Sequence, residues 1–440
     1  MLVFYCTTQS SCILRRNSSL TLQQYQLIMN KEKEYSYEAQ LLHTPYDKAD
    51  TYGALSMPVY NSVAFEFKTA EAMEQAFCGR SDDYFYSRID NPTVKHFENR
   101  VRSLTHAVSV TAVNSGMAAI SNTFLSILSN GANIVASSHL FGNTYSFFTN
   151  TLAHLGVEIR FCDLTNPEDA RAKIDSRTCA IFLEIITNPQ MEVADIKALA
   201  DIGNQYQVPL IADTTIVPFS SFNASQFGIN IEVLSSTKYI SGGATSVGGL
   251  IIDHGSFDWK NTTALQKWST DFGKLAFSKR LRKEILRNLG AYMTPQTAYM
   301  QSLGLETLKL RYEKQSASCL ELARRLKMLD KIVSVNYTGL EDSPFYEISS
   351  TQFGQYPGAM MTIDLATREA CFSFINKLKM IRRATNLFDN KTLAIHPAST
   401  IYGSFTEEQR IMMDIKQTTI RLSVGLESTD DLFHDIEQAL

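Results

Sequence analysis

Lys238 lies in the segment Ser235-Ser236-Thr237-Lys238-Tyr239-Ile240-Ser241-Gly242-Gly243, just past an expected strand and among hydroxyls and glycines. A lysine buried there holds its proton less tightly and becomes an amine nucleophile able to form a Schiff base with an aldehyde. The hydroxyls suit a phosphate, and the glycines let the backbone come close to it. Alone, the segment reads more readily as a solvated lysine in a glycine-rich turn, and it lacks the G-x-x-x-x-G-K-[ST] order of a nucleotide loop. One βα unit earlier, Ile211-Ala212-Asp213-Thr214-Thr215 ends another expected strand on a carboxylate. Such an acid can keep a heteroaromatic ring nitrogen protonated and make the ring an electron sink; taken singly it is an ordinary cap or turn residue. Asn114-Ser115-Gly116-Met117-Ala118-Ala119 reads as a strand-to-helix junction. Its unpaired N–H groups and positive dipole end favour a phosphate, although Ser-Gly is also a plain cap.

The elements that must position these groups follow from the pattern after about residue 105. Short β-rich runs at 106–111, 133–136, 158–161, 179–183, 209–212, 231–234 and 248–252 alternate with helical stretches at 117–128, 146–155 and 195–206. This alternation predicts a mainly parallel sheet covered by helices, with ligands at the carboxyl ends of its strands. Residues 253–300 break the rhythm as a polar, Lys/Arg-rich helical excursion, and a long helical stretch at 303–329 leads into a smaller α/β segment. The expected division is an N-terminal arm (29–95), a large α/β domain that carries these three segments (96–300) and a C-terminal α/β domain (301–440). Residues 1–28 place Arg15-Arg16 after a short apolar run, the reverse of a signal peptide. We expect them to be a non-native or disordered extension, with translation starting at Met29.

The totals narrow the class. A chain of 440 residues exceeds a single core and suggests two or three domains. A net charge of −4 leaves no broad basic surface for nucleic acid. No apolar run approaches the roughly 18–20 residues of a membrane helix. The seven cysteines (Cys6, Cys12, Cys78, Cys162, Cys179, Cys319, Cys371) are scattered and form no CxxC pair. They suggest neither a zinc site nor a disulfide framework, and a reducing, cytoplasmic compartment fits them best.

The three segments, in this order, resemble the Cys/Met-metabolism family of trans-sulfuration enzymes, which are fold-type-I enzymes dependent on pyridoxal 5'-phosphate (PLP). The resemblance extends from about Leu42 to the C-terminus and includes Tyr86-Ser87-Arg88-Ile89-Asp90-Asn91-Pro92-Thr93, Thr187-Asn188-Pro189, His396-Pro397-Ala398-Ser399-Thr400 and Arg421-Leu422-Ser423-Val424-Gly425. It implies that Lys238 carries PLP, that Asp213 pairs with the ring nitrogen, that Asn188 sits near the ring hydroxyl and that Phe141 stacks on the ring. Gly116 and Met117 would give backbone N–H groups to the phosphate, with Ser235, Thr237 and Thr215 among the cofactor contacts. Tyr86 and Arg88 would reach the phosphate of a neighbouring subunit, so a dimer is the minimum and a tetramer is expected. Arg421 would clamp the substrate α-carboxylate, with Asn386 and Ser399 beside it. Lys238 and Tyr86 would share the proton transfers.

Within the family, Gly255-Ser256-Phe257-Asp258-Trp259 and Asn386-Leu387-Phe388-Asp389 resemble the O-acetylhomoserine sulfhydrylase branch. That branch implies γ-replacement on O-acetylhomoserine with sulfide or a small thiol, a step of methionine biosynthesis. The alternatives are a γ- or β-eliminating lyase, or a cystathionine γ-synthase. Asn143 stands where methionine γ-lyases carry a reactive cysteine, which weakens the lyase reading. A PLP-fold protein without turnover is a further rival, set against the intact Lys238, Asp213, Arg88 and Arg421. Three departures fall near the expected substrate pocket: Phe141 in place of a tyrosine, Phe388 in place of a glycine, and Ile401-Tyr402 in place of Thr-His.

Overall fold

The structure, a computed structural model, describes residues 35–48 and 50–440. The expected extension at 1–28 and the start at Met29 lie outside the described residues. Seven strands form the larger sheet: β1 (Ser109–Val113), β2 (Asn133–Ser137), β3 (Glu158–Cys162), β4 (Thr178–Glu184), β5 (Leu210–Asp213), β6 (Ile231–Leu234) and β7 (Gly249–Asp253). Their order is β1-β7-β6-β5-β4-β2-β3. The run from β6 to β3 is parallel, and β7 lies antiparallel between β6 and β1.

Successive side chains of a strand face opposite sides of a sheet, so a sheet covered on both sides needs apolar residues at every position. The central strands meet that demand. Ile181, Leu183, Leu210 and Ala212 join one core, whereas Ala180, Phe182 and Ile211 join the other. All seven expected strands are present, and the first begins later than residue 106. His106 instead ends the helix Pro92–Thr105 in a left-handed conformation, φ 52°, and the chain turns there before β1.

The excursion after β7 is less polar than its composition suggests. Trp259, Leu265, Phe277 and Leu281 are buried against the sheet, with Trp259 stacked on Phe277 at 5.4 Å. Arg282 reaches Glu98 and the Val110 carbonyl, which pins the segment beside β1. The expected long helix at 303–329 is two helices, Pro295–Glu306 and Leu308–Leu326. Gly304 lets the first lie directly on the turn that follows Lys238; a Cβ there would sit 2.0 Å from the Ile240 carbonyl oxygen. The second sheet contains β8 (Ser334–Asn336), β9 (Met360–Asp364), β10 (Arg382–Arg383), β11 (Leu393–Ile395) and β12 (Thr419–Ser423), in the order β10-β11-β12-β9-β8. Among the described residues, no helix is long and apolar enough to cross a membrane.

A buried polar group sits beside β5. Glu232 on β6 meets His254 Nε2 at 2.8 Å and accepts from the Thr214 hydroxyl at 2.9 Å, with Glu232 only 1% exposed. Removing one member of such a group leaves the others buried without partners. Glu232→Ala should therefore lower the unfolding free energy by about 3 kcal/mol or more, read from the urea midpoint.

Candidate active site

The carboxyl ends of β4, β5 and β6, together with the start of the helix Gly116–Ile127, open into a cavity of about 740 Å³. Lys238 follows β6 and lines this cavity. Its Nζ donates to Asn386 Oδ1 at 2.8 Å. Burial and the neighbouring Arg421 lower its proton affinity to about 8, against the opposing pull of Asp213. The amine is thus far closer to a neutral nucleophile than a surface lysine.

Asp213 ends β5 and accepts the Thr215 N–H at 2.9 Å. Burial raises its carboxyl above the usual range, with the Thr215 hydrogen bonds and Lys238 working the other way. The sequence reading missed Glu184, which ends β4 as the register partner of Asp213 and also lines the cavity. It accepts the Phe141 N–H at 2.6 Å, and burial plus the Asp213 charge push its carboxyl well above the ordinary value. The signal was available: like β5, β4 is an apolar run that ends on a carboxylate.

The anion cradle takes shape at Ser115, whose hydroxyl accepts from Ala118 N–H at 3.0 Å and whose carbonyl accepts from Ala119 N–H at 3.0 Å. The first two helical amides, Gly116 and Met117, precede these bonds and suit an incoming phosphate. Gly116 is required there, since a Cβ would lie 2.7 Å from Ser235 Cβ. Ser235 and Thr215 line the same wall, with Thr215 Oγ1 accepting from Ser235 N–H at 2.9 Å. Thr237 also lines the cavity, but its hydroxyl donates to the Gly248 carbonyl at 3.1 Å and accepts from Gly248 N–H at 3.0 Å. Its single proton holds the turn, so donating to an anion requires that hydroxyl to rotate.

Arg421, on β12, is 2% exposed and lines the far side. It donates to Asn188 Oδ1 at 3.2 Å and to the Thr385 and Asn386 carbonyls at 3.3 Å, while its Nε has no partner. Among the described residues no carboxylate pairs with it, and burial lowers its proton affinity to about 9, partly offset by Tyr402. A buried guanidinium without an acid is costly unless a ligand supplies one. Phe141, Asn188 and Asn386 complete the wall.

Three expected residues do not join this group. Tyr86 is 39% exposed, and Arg88 donates to the Arg287 carbonyl with its guanidinium 5.5 Å from the Tyr86 ring. Neither lines the cavity of its own chain. Ser399 ends the turn after β11, with its Oγ 2.9 Å from His396 Nδ1, and Thr400 and Ile401 line the cavity instead. Phe388, expected near the substrate pocket, lies behind the wall. It is stacked on Tyr239 at 4.2 Å, and its φ is 54°.

An α/β protein with an amine and an acid on neighbouring strand ends, an anion cradle beside them and an unpaired buried guanidinium opposite is built as a fold-type-I cofactor enzyme. The chain belongs to the Cys/Met metabolism PLP-dependent enzymes, which residues 38–440 match. It is 32% identical over 421 residues to the O-acetyl-L-homoserine sulfhydrylase of Corynebacterium glutamicum, a match covering 92% of this chain and 96% of that one. It is also 32% identical over 406 residues to the L-methionine gamma-lyase of Pseudomonas putida, covering 92% and 97%. Among solved structures it is similar to a putative O-acetylhomoserine (thiol)-lyase of Campylobacter jejuni, which contains a pyridoxyl-lysine phosphate. That likeness has a TM-score of 0.86 and 30% identity and covers 92% of this chain and 99% of the other. The donor set fits PLP: an amine for the aldehyde, a buried acid for the ring nitrogen and free helix amides for the phosphate.

The state of Lys238 sets a pH test on the cofactor-free protein. Below about pH 8 the amine is charged whether folded or unfolded, so the full burial cost is present. Between about 8 and the ordinary 10.5 the unfolded chain binds the extra proton, and stability rises with pH. Lys238→Met should therefore raise the unfolding free energy at pH 7 by on the order of 2–3 kcal/mol. That gain should shrink across this window in urea titrations.

Proposed function

We propose that this protein replaces the acyloxy group of O-acetylhomoserine with sulfide or a small thiol, yielding homocysteine or its S-alkyl derivative and acetate. The observation that carries this reading is the Lys238 amine facing the unpaired Arg421 guanidinium across one cavity. Curated sulfhydrylases of Corynebacterium glutamicum, Leptospira meyeri and Thermus thermophilus lie among its relatives and support the choice of substrate.

PLP, when bound, supplies the electron sink for the charge left by loss of the Cα proton. Asp213 would keep the ring nitrogen protonated, and Gly116, Met117 and Ser235 would hold the phosphate. Phe141 would stack on the ring face. Arg421 binds the α-carboxylate through its fork and so fixes which end of the amino acid enters. Lys238 removes the Cα proton, a task suited to an amine with a pKa near 8. After a Cβ proton is also lost, the Cγ–O bond breaks to release acetate and the thiol sulfur bonds to Cγ. Lys238 returns protons to Cα and Cβ, and the thiol proton leaves as the acid of acetate. Phe141 has no hydroxyl, so this traffic falls to Lys238 and to Tyr86 from a neighbour.

The arm at 29–95 would supply that neighbour contact. Tyr86 and Arg88 stand outside their own cavity, and Tyr52 and Leu55 on the same arm are 95% and 99% exposed, which suits apolar groups awaiting a partner. A dimer is the minimum and a tetramer the expected assembly. We place the protein in the cytoplasm, in keeping with five described cysteines that are all unpaired.

With PLP, homocysteine should form from O-acetylhomoserine only when sulfide is added. Ketobutyrate released at a similar rate without thiol would make the protein a lyase instead. Lys238→Ala should lose both turnover and the visible absorbance of the lysine-bound cofactor. Mixing Lys238→Ala with Arg88→Ala, each inactive alone, should recover about a quarter of the activity through hybrid dimers with one intact site. No recovery would refute the shared site.

A further inference from the structure

The aromatic wall of the cavity hangs from the short connection His139-Leu140-Phe141 after β2, and each of these residues is tied to a different element. His139 Nδ1 lies 2.6 Å from Glu192 Oε2. The Leu140 carbonyl accepts from the Tyr402 hydroxyl at 3.1 Å, a hydroxyl that also lies 2.8 Å from the Asn188 carbonyl. The Phe141 N–H donates to Glu184 at 2.6 Å. A tyrosine in place of Phe141 would have a hydroxyl to anchor its ring. Here the backbone ties must do so.

Glu184 is also the neighbour of Asp213 across β4 and β5. Two buried carboxylates side by side do not both stay charged, and the one with better compensation keeps the charge. Asp213 has the Thr215 N–H, the Thr215 hydroxyl and the Lys238 charge in its favour. Glu184 has one amide, no salt bridge among the described residues, and the Tyr402 phenol beside it.

We propose that Glu184 is a positioning residue acting as a neutral acid: it keeps its proton, accepts the Phe141 amide and leaves the negative charge to Asp213. The carboxyl thereby fixes the aromatic wall against the strand end without competing for the cofactor's ring proton. This rests on the reading that PLP occupies the cavity.

The test compares Glu184→Gln, a neutral side chain that still accepts, with Glu184→Ala, which accepts nothing. Both are stripped of cofactor and titrated with PLP while protein fluorescence is followed, with far-UV circular dichroism as the control for folding. The Gln variant should bind PLP as the parent does, and the Ala variant about tenfold more weakly. Equal losses in both variants, or no loss in Ala, would overturn the proposal. Should the Ala variant fail to fold, the Gln variant carries the test through the pH titration of the bound cofactor's visible band. An unchanged midpoint supports a neutral Glu184. A midpoint lower by about one unit shows that a charge was removed and overturns it. Failure of the parent to bind PLP appears before any substitution and defeats the functional reading itself.

Discussion

Two basic and two acidic side chains share one buried cavity, and among the described residues none of the four forms a salt bridge with another. Lys238 is held by an amide oxygen, Arg421 by an amide and two carbonyls, Asp213 and Glu184 by backbone N–H groups. Neutral partners orient a charge without cancelling it. Buried charges left in this condition cost several kcal/mol in an ordinary core. The arrangement persists because the surrounding scaffold is stable enough to hold it, and because ligand charges complete it.

That scaffold is the two-sided apolar sheet. Alternate residues of β4 and β5 feed the two cores, which leaves only the strand ends for polar groups. Asp213 and Glu184 are therefore the last residues of otherwise apolar strands, and Lys238 lies in the turn that follows a third. The helix Pro295–Glu306 presses on the turn after Lys238, and the Phe388–Tyr239 stack presses from the side of Asn386. The amine and the amide that holds it are braced from separate parts of the chain.

The sheet and its main chemical groups were legible in the sequence because both express strict local rules. Apolar runs of strand length gave all seven strands, and a charge ending such a run marked Asp213. Glu184 obeyed the same rule but gained meaning only from strand register, which places it beside Asp213. Arg421 could be assigned only by resemblance, since nothing local distinguishes a strand arginine that has no acid. Ser399 and Phe388 do not line the cavity because turn geometry decides where a side chain faces: a single turn sends Ser399 back to His396, and a positive φ swings Phe388 onto Tyr239. The split of the 303–329 stretch was hidden for a related reason, because Gly304 answers to a distant backbone and not to its own helix.

Gly116, in the cavity wall, and Gly304, behind the turn that follows Lys238, leave the site with regions of unequal freedom. At both positions a neighbouring residue occupies the space a side chain would need, so the chain has no substitute there. Val247, Leu387 and Ile401, by contrast, are apolar residues that line the cavity. Evolutionary or engineered change in substrate preference can accumulate along that apolar rim while the two glycines stay fixed. The protein thus carries an apolar rim open to change on a frame of close backbone contacts.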